Sequence, residues 1–542
     1  MENMLFLLFL VSIYLFIIGY LGYRGYRGTH TATDYLIAGR EAHPFVMAMS
    51  YGATFISTSA IVGFGGAAAV FGMGLLWLTV LNVFVGVFVA FVFIGVRTRA
   101  MGHRLNAHTF PELLGHRYDS LFLKIFAALI IILFMPLYTG VVLMGAAKFI
   151  EVRMGTSYEV ALFFFSVLVA VYVIMGGLKG VMYADAVQGA IMLFGICLLI
   201  FFAYYGLGGI VSAHEQLSAM QSAVPENMAA SGHRGWTSMP EFGSPYWWTL
   251  VSTIVMGVGI GVLAQPQLAV RYMTVKSTME LNRAVLVGGI FITLMTGGAF
   301  TVGAISNVYF LGDADVGVIS IMAARGDVEQ IIPEFIKNYL PFWLGDVFFV
   351  TLMAAAMSTA SSQFHNMGTS TGRDIFESFT RKHSSGASIL ATRIGIFATF
   401  IVSVTLAYVL PVYFEAGIAI VARGTAIFFG LCAATFLPLY MGGLYFRGIT
   451  RSAAIAGAVV GFFVSLFWLV FCHASTAAAL QLCNLIFGRA HLFGDARTGF
   501  VLWSHVDPLF IGLPLSIVVT AVVCFFTKPF SEEHLDACFK KS

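Results

Sequence analysis

Hydroxyl side chains are concentrated at residues 355–362, inside a long apolar stretch. Ser358, Ser361 and Ser362 are spaced i, i+3 and i+4, so on a helix they share one face, and Thr359 lies beside them. Hydroxyl and carbonyl oxygens suit a hard cation such as sodium. The competing interpretation is that each hydroxyl bonds a carbonyl of its own helix. The density of hydroxyls favours a cation site.

A second polar run, residues 52–59, includes Ser57 and Thr58 and is followed by glycines in residues 63–66. Small and hydroxyl residues beside glycines weaken a helix and free carbonyls, as in the interrupted helices that bind ions in membranes. Close helix packing through small residues explains the same pattern. Taken alone, the run favours packing.

Asp185 is the only acid between Lys179 and Glu215, and it lies inside an apolar segment. An acid inside a membrane helix indicates a functional site with a partner. The predicted partner is a cation held together with Ser361 and Ser362. The alternative is an interfacial carboxylate capped by Lys179 or Tyr183.

Alternate glycines occur at Gly257, Gly259 and Gly261, and the segment continues to Gln265-Pro266. Alternate glycines interrupt a helix, and this run lies five spans after the predicted span that holds residues 52–66, which is the spacing of an inverted repeat. No strand precedes the glycines, so they do not indicate a nucleotide-binding loop.

Two cationic or titratable side chains lie in or beside the apolar segments. Arg423 either binds a substrate carboxylate or acts at an outer gate, paired with Glu415. His365 is assigned to a hydrogen-bond network at the cytoplasmic end rather than to a proton relay.

The elements that position these residues are long apolar segments. Of 542 residues, 59% are hydrophobic and 10% are charged, and the mean hydropathy is +0.90. These values predict an all-α integral membrane protein, because the segments are too long and uniformly apolar for barrel strands. About thirteen spans are predicted, near 4–23, 44–71, 75–96, 121–147, 158–177, 181–207, 246–270, 284–309, 340–366, 394–412, 417–440, 452–472 and 505–527.

Charge asymmetry sets the predicted orientation. With the N-terminus outside, 21 of the 29 basic residues fall in inside segments, 7 fall outside, and Arg423 lies within a span. Because inside loops are enriched in Lys and Arg, the C-terminus is predicted to be cytoplasmic, in a multi-pass protein of the cell membrane surrounded by lipid.

Several function classes are disfavoured. The six cysteines lie far apart and indicate neither disulfides nor zinc, and net charge +3 without a basic stripe disfavours nucleic-acid binding. The sequence shows no convergent catalytic set that would indicate an enzyme and no filter repeat that would indicate a channel. It also shows no segment that would indicate an obligate protein partner. A transmembrane sensor or a channel-like module without coupled uptake remains the alternative function.

The order of motifs along the chain resembles the sodium:solute symporter family. The matching pieces are residues 34–40, residues 52–57, Gly176-Gly177 with Asp185 and Gln188, Gln265-Pro266 with Arg271, and residues 354–362 followed by Arg373-Asp374. The resemblance implies a LeuT-type core of five-plus-five inverted repeats, alternating access, and sodium-coupled symport of a small organic solute, such as an amino acid, pantothenate or a monocarboxylate.

The resemblance also implies ion sites. The first sodium would be held by backbone oxygens of Ala53, Ile56 and Ala355 with the hydroxyls of Ser358 and Thr359. Some members are thought to bind a second sodium, for which the matching positions here are Asp185, Ser358, Ser361 and Ser362. Whether one or two ions are bound is left open.

The predicted substrate pocket contains Ser57, Thr58, Gly257, Gly259, Gly261, Gln265 and Arg423. Proline carriers, by resemblance, have aromatic residues where this chain has Val258 and Val262, and an acid where it has Phe55, which argues against proline. A single transmembrane domain is predicted over 1–542, with a leading helix and loop in 1–43, the repeat core in 44–440, and trailing helices and tail in 441–542.

Overall fold

The computed structural model describes residues 2–28, 32–380, 385–413, 420–494 and 497–540, and these residues are predominantly helical. The principal helices are Glu2–Arg27, Pro44–Phe55, Leu121–Met154, Tyr158–Gly206, Thr278–Gly312, Phe342–Thr369, Ser385–Tyr413, Ile420–Tyr445, Arg451–Phe467 and Leu509–Phe526. The π-helical segments are Ser59–Gly63, Phe84–Gly95, Thr249–Val258, Ser370–Phe376 and Trp468–Cys472.

Shorter elements complete the chain. The short α-helices are Ala32–Ile37, Phe64–Phe71, Leu76–Val83, Val96–Arg104, Phe110–Arg117, Ile210–Ala219, Glu226–Ala230, Pro245–Trp248, Gly259–Gly261, Pro266–Tyr272, Ser320–Ala323, Ile331–Tyr339, Glu377–Thr380, Ala474–Leu480, Leu482–Phe487 and Glu532–Phe539. The 3₁₀ turns are Ala38–Arg40, Gly72–Leu75, Met220–Ala223, Val262–Ala264, Val328–Gln330 and Trp503–His505. A small antiparallel hairpin pairs Arg497–Thr498 with Val501–Leu502.

Two membrane helices are interrupted, the first at the polar run where weak helix was predicted and the second at Gln265, beyond the glycines of residues 257–261. The Pro44–Phe55 helix ends at Ile56, whose φ of −89° and ψ of 99° are extended. The chain from Thr249 likewise leaves helical geometry at Gln265, with φ −75° and ψ 115°, before Pro266. Proline disfavours helical geometry in the residue before it, which explains the second break. Each break leaves the last carbonyls of the preceding helix without intrahelical partners.

Two glycines provide turns that other residues would not tolerate. Gly72 has a φ of +72°, and a Cβ there would lie 2.2 Å from the Trp236 carbonyl oxygen. Gly177 has a φ of 59° inside the Tyr158–Gly206 helix and divides it into two directions. Glycine adopts positive φ without steric cost, so both turns depend on it.

Eleven helices of the described chain are long and apolar enough to cross a membrane. The multi-span, all-α prediction is confirmed, whereas the count of thirteen is not. One continuous segment, Ser59–Arg104, takes in the predicted 75–96 span and part of 44–71. Of the predicted 158–177 span, Tyr158–Val169 is found as a shorter apolar helix, and the side chains of residues 170–176 lie outside the described part of the chain.

Burial separates central from peripheral helices. In the spans Phe342–Thr380 and Val421–Tyr445, 83% of the most apolar window is buried, against 22% in Leu5–Gly25 and in Leu509–Phe526. Helices that face lipid keep exposed apolar side chains, whereas a polar cluster needs surrounding protein. The serine-rich helix therefore lies at the centre of the bundle.

The glycines of residues 63–66 serve close packing. A Cβ on Gly66 would lie 2.1 Å from the Val328 carbonyl oxygen, and a Cβ on Gly303 would lie 2.0 Å from that of Gly65. Helix backbones approach closely only where side chains are this small. This part of the run therefore has the packing role that the sequence favoured.

We expect Gly303→Ala to lower the apparent midpoint of thermal unfolding in detergent, because its Cβ meets a backbone oxygen that cannot turn away. Overpacking of this kind costs about 1–3 kcal/mol. Gly289→Ala, in the same helix, is the matched control, since a Cβ there meets no atom within 4 Å. Equal midpoints for the two variants would contradict this packing role.

Candidate functional site

The hydroxyls of Ser358 and Thr359 lie against the carbonyls freed at the first helix break. Ser358 Oγ donates to the Ala53 oxygen at 2.8 Å and to the Ala355 oxygen at 3.1 Å. Thr359 Oγ1 donates to the Thr54 oxygen at 3.0 Å and to the Ala53 oxygen at 3.3 Å. Ala53, Ala355, Ser358 and Thr359 are fully buried.

This arrangement offers neutral oxygens from two helices within one buried space. Ile56 is the residue at which the first helix ends, so the carbonyls just before it lack helical partners. The hydroxyls now donate to those carbonyls, and a cation would replace the shared protons as the partner of both sets of oxygens. The donor set therefore suits sodium, whose ligands are oxygens.

The predicted second ion site is organised around an arginine. The carboxylate Oδ2 of Asp185 lies 2.9 Å from Arg271 Nη2 and accepts a hydrogen bond from Ser50 Oγ at 2.8 Å. Asp185 and Arg271 are 0% and 1% exposed at the side chain. Arg271 Nη2 also donates to Ser362 Oγ at 2.6 Å. The sequence argument expected a cation held by Asp185 and Ser362, and a guanidinium occupies that position.

The other members of the predicted second site are divided. Ser361 Oγ donates to the Ser358 carbonyl at 3.1 Å, so it bonds its own helix. Asp185 Oδ1 is buried and has no hydrogen-bond partner among the described residues. The interfacial alternative for Asp185 does not hold, because Lys179 Nζ donates to Gly28 O, at 3.4 Å.

Thr54 joins the two sites. Its carbonyl accepts from Thr359, while its hydroxyl accepts from Arg271 Nη2 at 2.5 Å and lies 2.9 Å from Ser362 Oγ. Arg271 was quoted in the sequence motif without a role. The sequence feature that could have indicated its role is its position six residues after the Gln265 break, in the Pro266–Tyr272 helix.

The leading helix also reaches this region. Gln188 Nε2 donates to Tyr14 Oη at 2.9 Å, and Tyr14 Oη lies 3.3 Å from Met357 Sδ. Met357 precedes Ser358, and Gln188 lies one turn after Asp185 in the same helix. The Glu2–Arg27 helix therefore contacts the two helices that carry the ligands of the predicted second ion site.

A small central cavity of about 20 Å³ lies next to the first break. Its lining includes Ser57, Ser59, Asn82 and Thr425 beside apolar and aromatic side chains. Ser59 Oγ and Asn82 Oδ1 are buried without a hydrogen-bond partner in the described part of the chain. A space of this size holds about one water molecule, so a solute enters only after the surrounding helices move apart.

Some of the residues predicted to line the pocket lie at the central cavity, and others have different contacts. Ser57 lines the central cavity. Thr58 Oγ1 instead donates to the Val142 carbonyl at 2.7 Å, and Gln265 Nε2 donates to the Gly261 carbonyl at 3.2 Å.

From the glycine run, Val258 lines the central cavity. A Cβ on Gly259 would meet Leu81 at 2.8 Å, and one on Gly261 would meet Phe429 at 2.6 Å. The nearest atom to a Cβ on Gly257 would be the Ser252 oxygen, at 3.6 Å. Gly259 and Gly261 thus allow close packing, whereas Val258, between Gly257 and Gly259, faces the cavity.

Sequence reasoning missed Ser59, Asn82, Tyr138, Thr296 and Thr425 as cavity residues. A signal existed for Asn82, which is an amide inside the predicted 75–96 span. Hydroxyls such as Thr425 carry no comparable signal, because single threonines commonly bond their own helix.

Arg423 lines a different cavity, of about 410 Å³, beyond the central one. Its alternative partner, Glu415, lies outside the described residues. His365 packs against Tyr35, with ring centroids 5.5 Å apart, near the end of its helix that we assign to the cytoplasm.

A charge cluster ties together segments that we assign to the cytoplasmic side. Glu112 lies 3.2 Å from Arg373 and 3.4 Å from His108, and Lys124 lies 3.8 Å from Asp374. Burial alone would raise the pKa of Glu112, but His108, Arg373 and Lys124 outweigh it and lower the pKa to about 2. The ionised Glu112 thus holds the Phe110–Arg117 helix against the end of the serine-rich span.

Comparison with known proteins identifies the wider group. The family model described as the sodium:solute symporter family matches residues 35–461. A sodium/pantothenate symporter of Haemophilus influenzae is 27% identical over 79% of this chain and 82% of its own length. A sodium/proline symporter of Escherichia coli is 25% identical over 81% of this chain and 83% of its own length.

The fold agrees with a solved transporter. A substrate-bound, outward-open Na⁺-coupled sialic acid symporter superposes with a TM-score of 0.72 at 17% identity, over 98% of both chains. This likeness concerns the fold, which is the LeuT-type arrangement expected from the two interrupted helices. Since the family model covers most of the chain and relatives align along four fifths of it, this protein belongs to the sodium:solute symporter family.

Proposed function

We propose that this sodium-coupled symporter binds its driving ion between the Ile56 break and the Phe342–Thr369 helix and carries a small polar organic solute through the central cavity. The supporting observation is that Ser358 and Thr359 place their hydroxyls on the Ala53 and Thr54 carbonyls. The first ion site then comprises backbone oxygens of Ala53, Ile56 and Ala355 with those two hydroxyls.

An ion at this position couples to transport by adding a further connection between the broken helix and the serine-rich helix. Sodium stabilises whichever arrangement brings the broken helix and the serine-rich helix together, and the population shifts toward it. The solute cavity begins at Phe55 and Ile56, beside the same break. Binding of either ligand therefore favours the other, since such coupling is reciprocal.

The energy source is adequate for accumulation. One sodium moving down a potential of 100 mV contributes about 2.3 kcal/mol, and a second ion doubles that electrical contribution. A second sodium at Asp185, Ser358, Ser361 and Ser362 requires Arg271 to withdraw from Asp185, because its guanidinium already neutralises that carboxylate.

The solute is proposed to be an amino acid, pantothenate-like compound or monocarboxylate. The central cavity combines hydroxyls and the Asn82 amide with aromatic walls, and it contains no charged side chain among its described lining residues. Such a lining suits a solute that is small, partly apolar and rich in hydrogen-bonding groups. Transport of pantothenate and of proline is a property of the relatives that carry those names.

The orientation is proposed from the distribution of basic residues, with the N-terminus outside and the C-terminus cytoplasmic, in a cell membrane. The proposed partners are the transported solute and surrounding lipid.

The first ion site is tested by sodium-dependent uptake in proteoliposomes. Ser358→Ala and Thr359→Ala should each raise the sodium concentration for half-maximal uptake roughly tenfold or more, since a lost ligand worth about 1.4 kcal/mol changes affinity tenfold. Ser403→Ala is the matched control, because Ser403 is buried and its hydroxyl bonds the Thr399 carbonyl of its own helix at 2.8 Å. Unchanged sodium dependence in both site variants would remove this assignment.

The second ion is tested by the Hill coefficient for sodium. We expect a wild-type value approaching two that falls to about one in Asp185→Asn. Because that change leaves Arg271 buried and unpaired, which costs about 3–5 kcal/mol, the control is Asp185→Asn combined with Arg271→Gln. A wild-type coefficient near one that neither variant alters would assign Asp185 to its ion pair alone.

The solute cavity is tested with labelled amino acids and small organic acids. Asn82→Ala should raise the solute KM several-fold and leave sodium dependence at saturating solute unchanged, because its amide oxygen has no partner among the described residues and is available to the solute. Thr79→Ala, one turn earlier on the same helix and outside the described cavity lining, should resemble wild type. The reverse pattern, with Thr79 the sensitive position, would rule out this cavity.

A further inference from the structure

A second, much larger cavity of about 410 Å³ lies on the face that we assign to the outside. Its walls include Arg423 and the side chains of Tyr246, His473, Ser475, Ser504 and His505. The volume falls within the range of small-molecule sites, about 300–1,000 Å³. The central cavity, at about 20 Å³, is too small for a solute in the same structure. We call the larger space the outer vestibule.

The outer vestibule carries one permanent positive charge. No carboxylate belongs to its described lining, and no hydrogen bond joins the Arg423 guanidinium to another described residue. The described acid whose charge acts on Arg423 is Glu329. Its Oε1 is already engaged, since it accepts a hydrogen bond from the Val421 amide at 2.9 Å. Arg423 is therefore available to an anion that enters.

The two histidines contribute ring nitrogens to the vestibule, and His473 is a neutral group. Burial, followed by the nearby charge of Arg423, lowers the pKa of His473 to about 3. Its Nδ1 lies 3.1 Å from Thr476 Oγ1, which fixes the ring. His505 Nδ1 lies 3.1 Å from Ser504 Oγ. The vestibule thus combines one cation with several hydrogen-bonding groups, which is the recognition pattern for a carboxylate.

The apolar surroundings of Arg423 strengthen its attraction for an anion. Arg423 also borders an apolar cavity of about 370 Å³, lined by residues such as Val141, Phe428 and Leu469. A charge beside a low-dielectric wall attracts an anion more strongly than the same charge in open water.

The outer vestibule lies directly over the central cavity. Three helical segments line both spaces at positions two to five residues apart: Ala67 and Phe64, Thr253 and Val258, and Arg423 and Thr425. Phe64 and Val258 border the inner space, and Ala67 and Thr253 border the vestibule. A solute in the vestibule is therefore one helical turn from the central cavity.

We infer that the outer vestibule is a first binding site for the solute, in which the Arg423 guanidinium pairs with a free carboxylate before the solute passes to the central cavity. This inference rests on the proposed function and adds to it the group that is bound first, which is the ionised carboxylate that amino acids, pantothenate-like compounds and monocarboxylates share. The selection for charge occurs at Arg423, and the uncharged central cavity recognises the rest of the molecule.

The test compares carboxylates with their carboxamides in proteoliposomes. Labelled monocarboxylates and amino acids are each measured against the corresponding carboxamide for sodium-dependent uptake. Wild type should prefer the carboxylate, and Arg423→Gln should lower uptake efficiency for the carboxylate at least tenfold, reduce the preference to near one, and leave the sodium concentration for half-maximal uptake unchanged. Arg234→Gln is the control, since Arg234 is an exposed outer-loop residue paired with Glu241.

The outcomes separate the two levels of the argument. If no solute shows sodium-dependent uptake in wild type, the proposed function fails. If uptake depends on sodium but Arg423→Gln retains the carboxylate preference, only the vestibule inference is overturned.

A second measurement does not depend on the folding of an Arg423 variant. In a Cys197→Ser background, which removes an exposed thiol, Ser475→Cys places a thiol in the vestibule lining. A sulfonate-bearing methanethiosulfonate should modify it several-fold faster than a trimethylammonium reagent of similar size, and the preferred carboxylate should protect it. Faster modification by the cationic reagent, or no protection, would refute the inference.

Discussion

The structure depends on one interaction, the contact between hydroxyls of an intact helix and carbonyls exposed by a broken one. An interrupted helix in a membrane is tolerated only where its free backbone groups find partners. Ser358 and Thr359 supply those partners, and they do so from one of the two most buried spans of the described chain. The break that makes the transporter structurally costly is thereby also what creates a set of oxygens suited to sodium.

The adjacent ion pair shows how closely structural and transport roles are combined. Arg271 neutralises Asp185 and also bonds Ser50, Thr54 and Ser362, so a single guanidinium connects three helices. Buried pairs of this kind contribute modestly to stability but are costly to break. Since Thr54 belongs to both networks, movement of Arg271 and occupancy of the first ion site are mechanically linked. The Tyr14 and Gln188 contact extends this linkage to the leading helix.

The proposed path of the solute passes through two spaces with different chemistry. The central cavity is closed around hydroxyls, an amide and aromatic rings, while the outer vestibule is wide and positively charged. The two are separated by little more than a helical turn on shared helices. Small movements of those helices are therefore sufficient to open one space toward the other, which is the requirement of alternating access around a fixed site.

Much of this was readable from the residues. Length, apolarity and the order of motifs determined a multi-span helical symporter coupled to sodium, and the spacing of Ser358, Ser361 and Ser362 placed hydroxyls on one helix face. The first helix break lies at the polar run of residues 52–59, where weak helix was expected from hydroxyl and small residues. The second lies at Gln265, before Pro266, and not at the glycines of residues 257–261, which remain helical. The single-domain boundaries, membrane orientation and ion stoichiometry stay predictions.

Only the tertiary structure decided which side chains meet. Arg271 reaches Asp185 across 86 positions of sequence, and Thr54 meets Ser362 across 308. Nothing local indicates such pairs, since they arise from how helices cross. For the same reason Thr58 turned toward another helix, two of the glycines at 257–261 served packing, and Asn82 joined the cavity. Sequence determines the local bends and the chemical inventory, whereas packing determines which of those groups face one another.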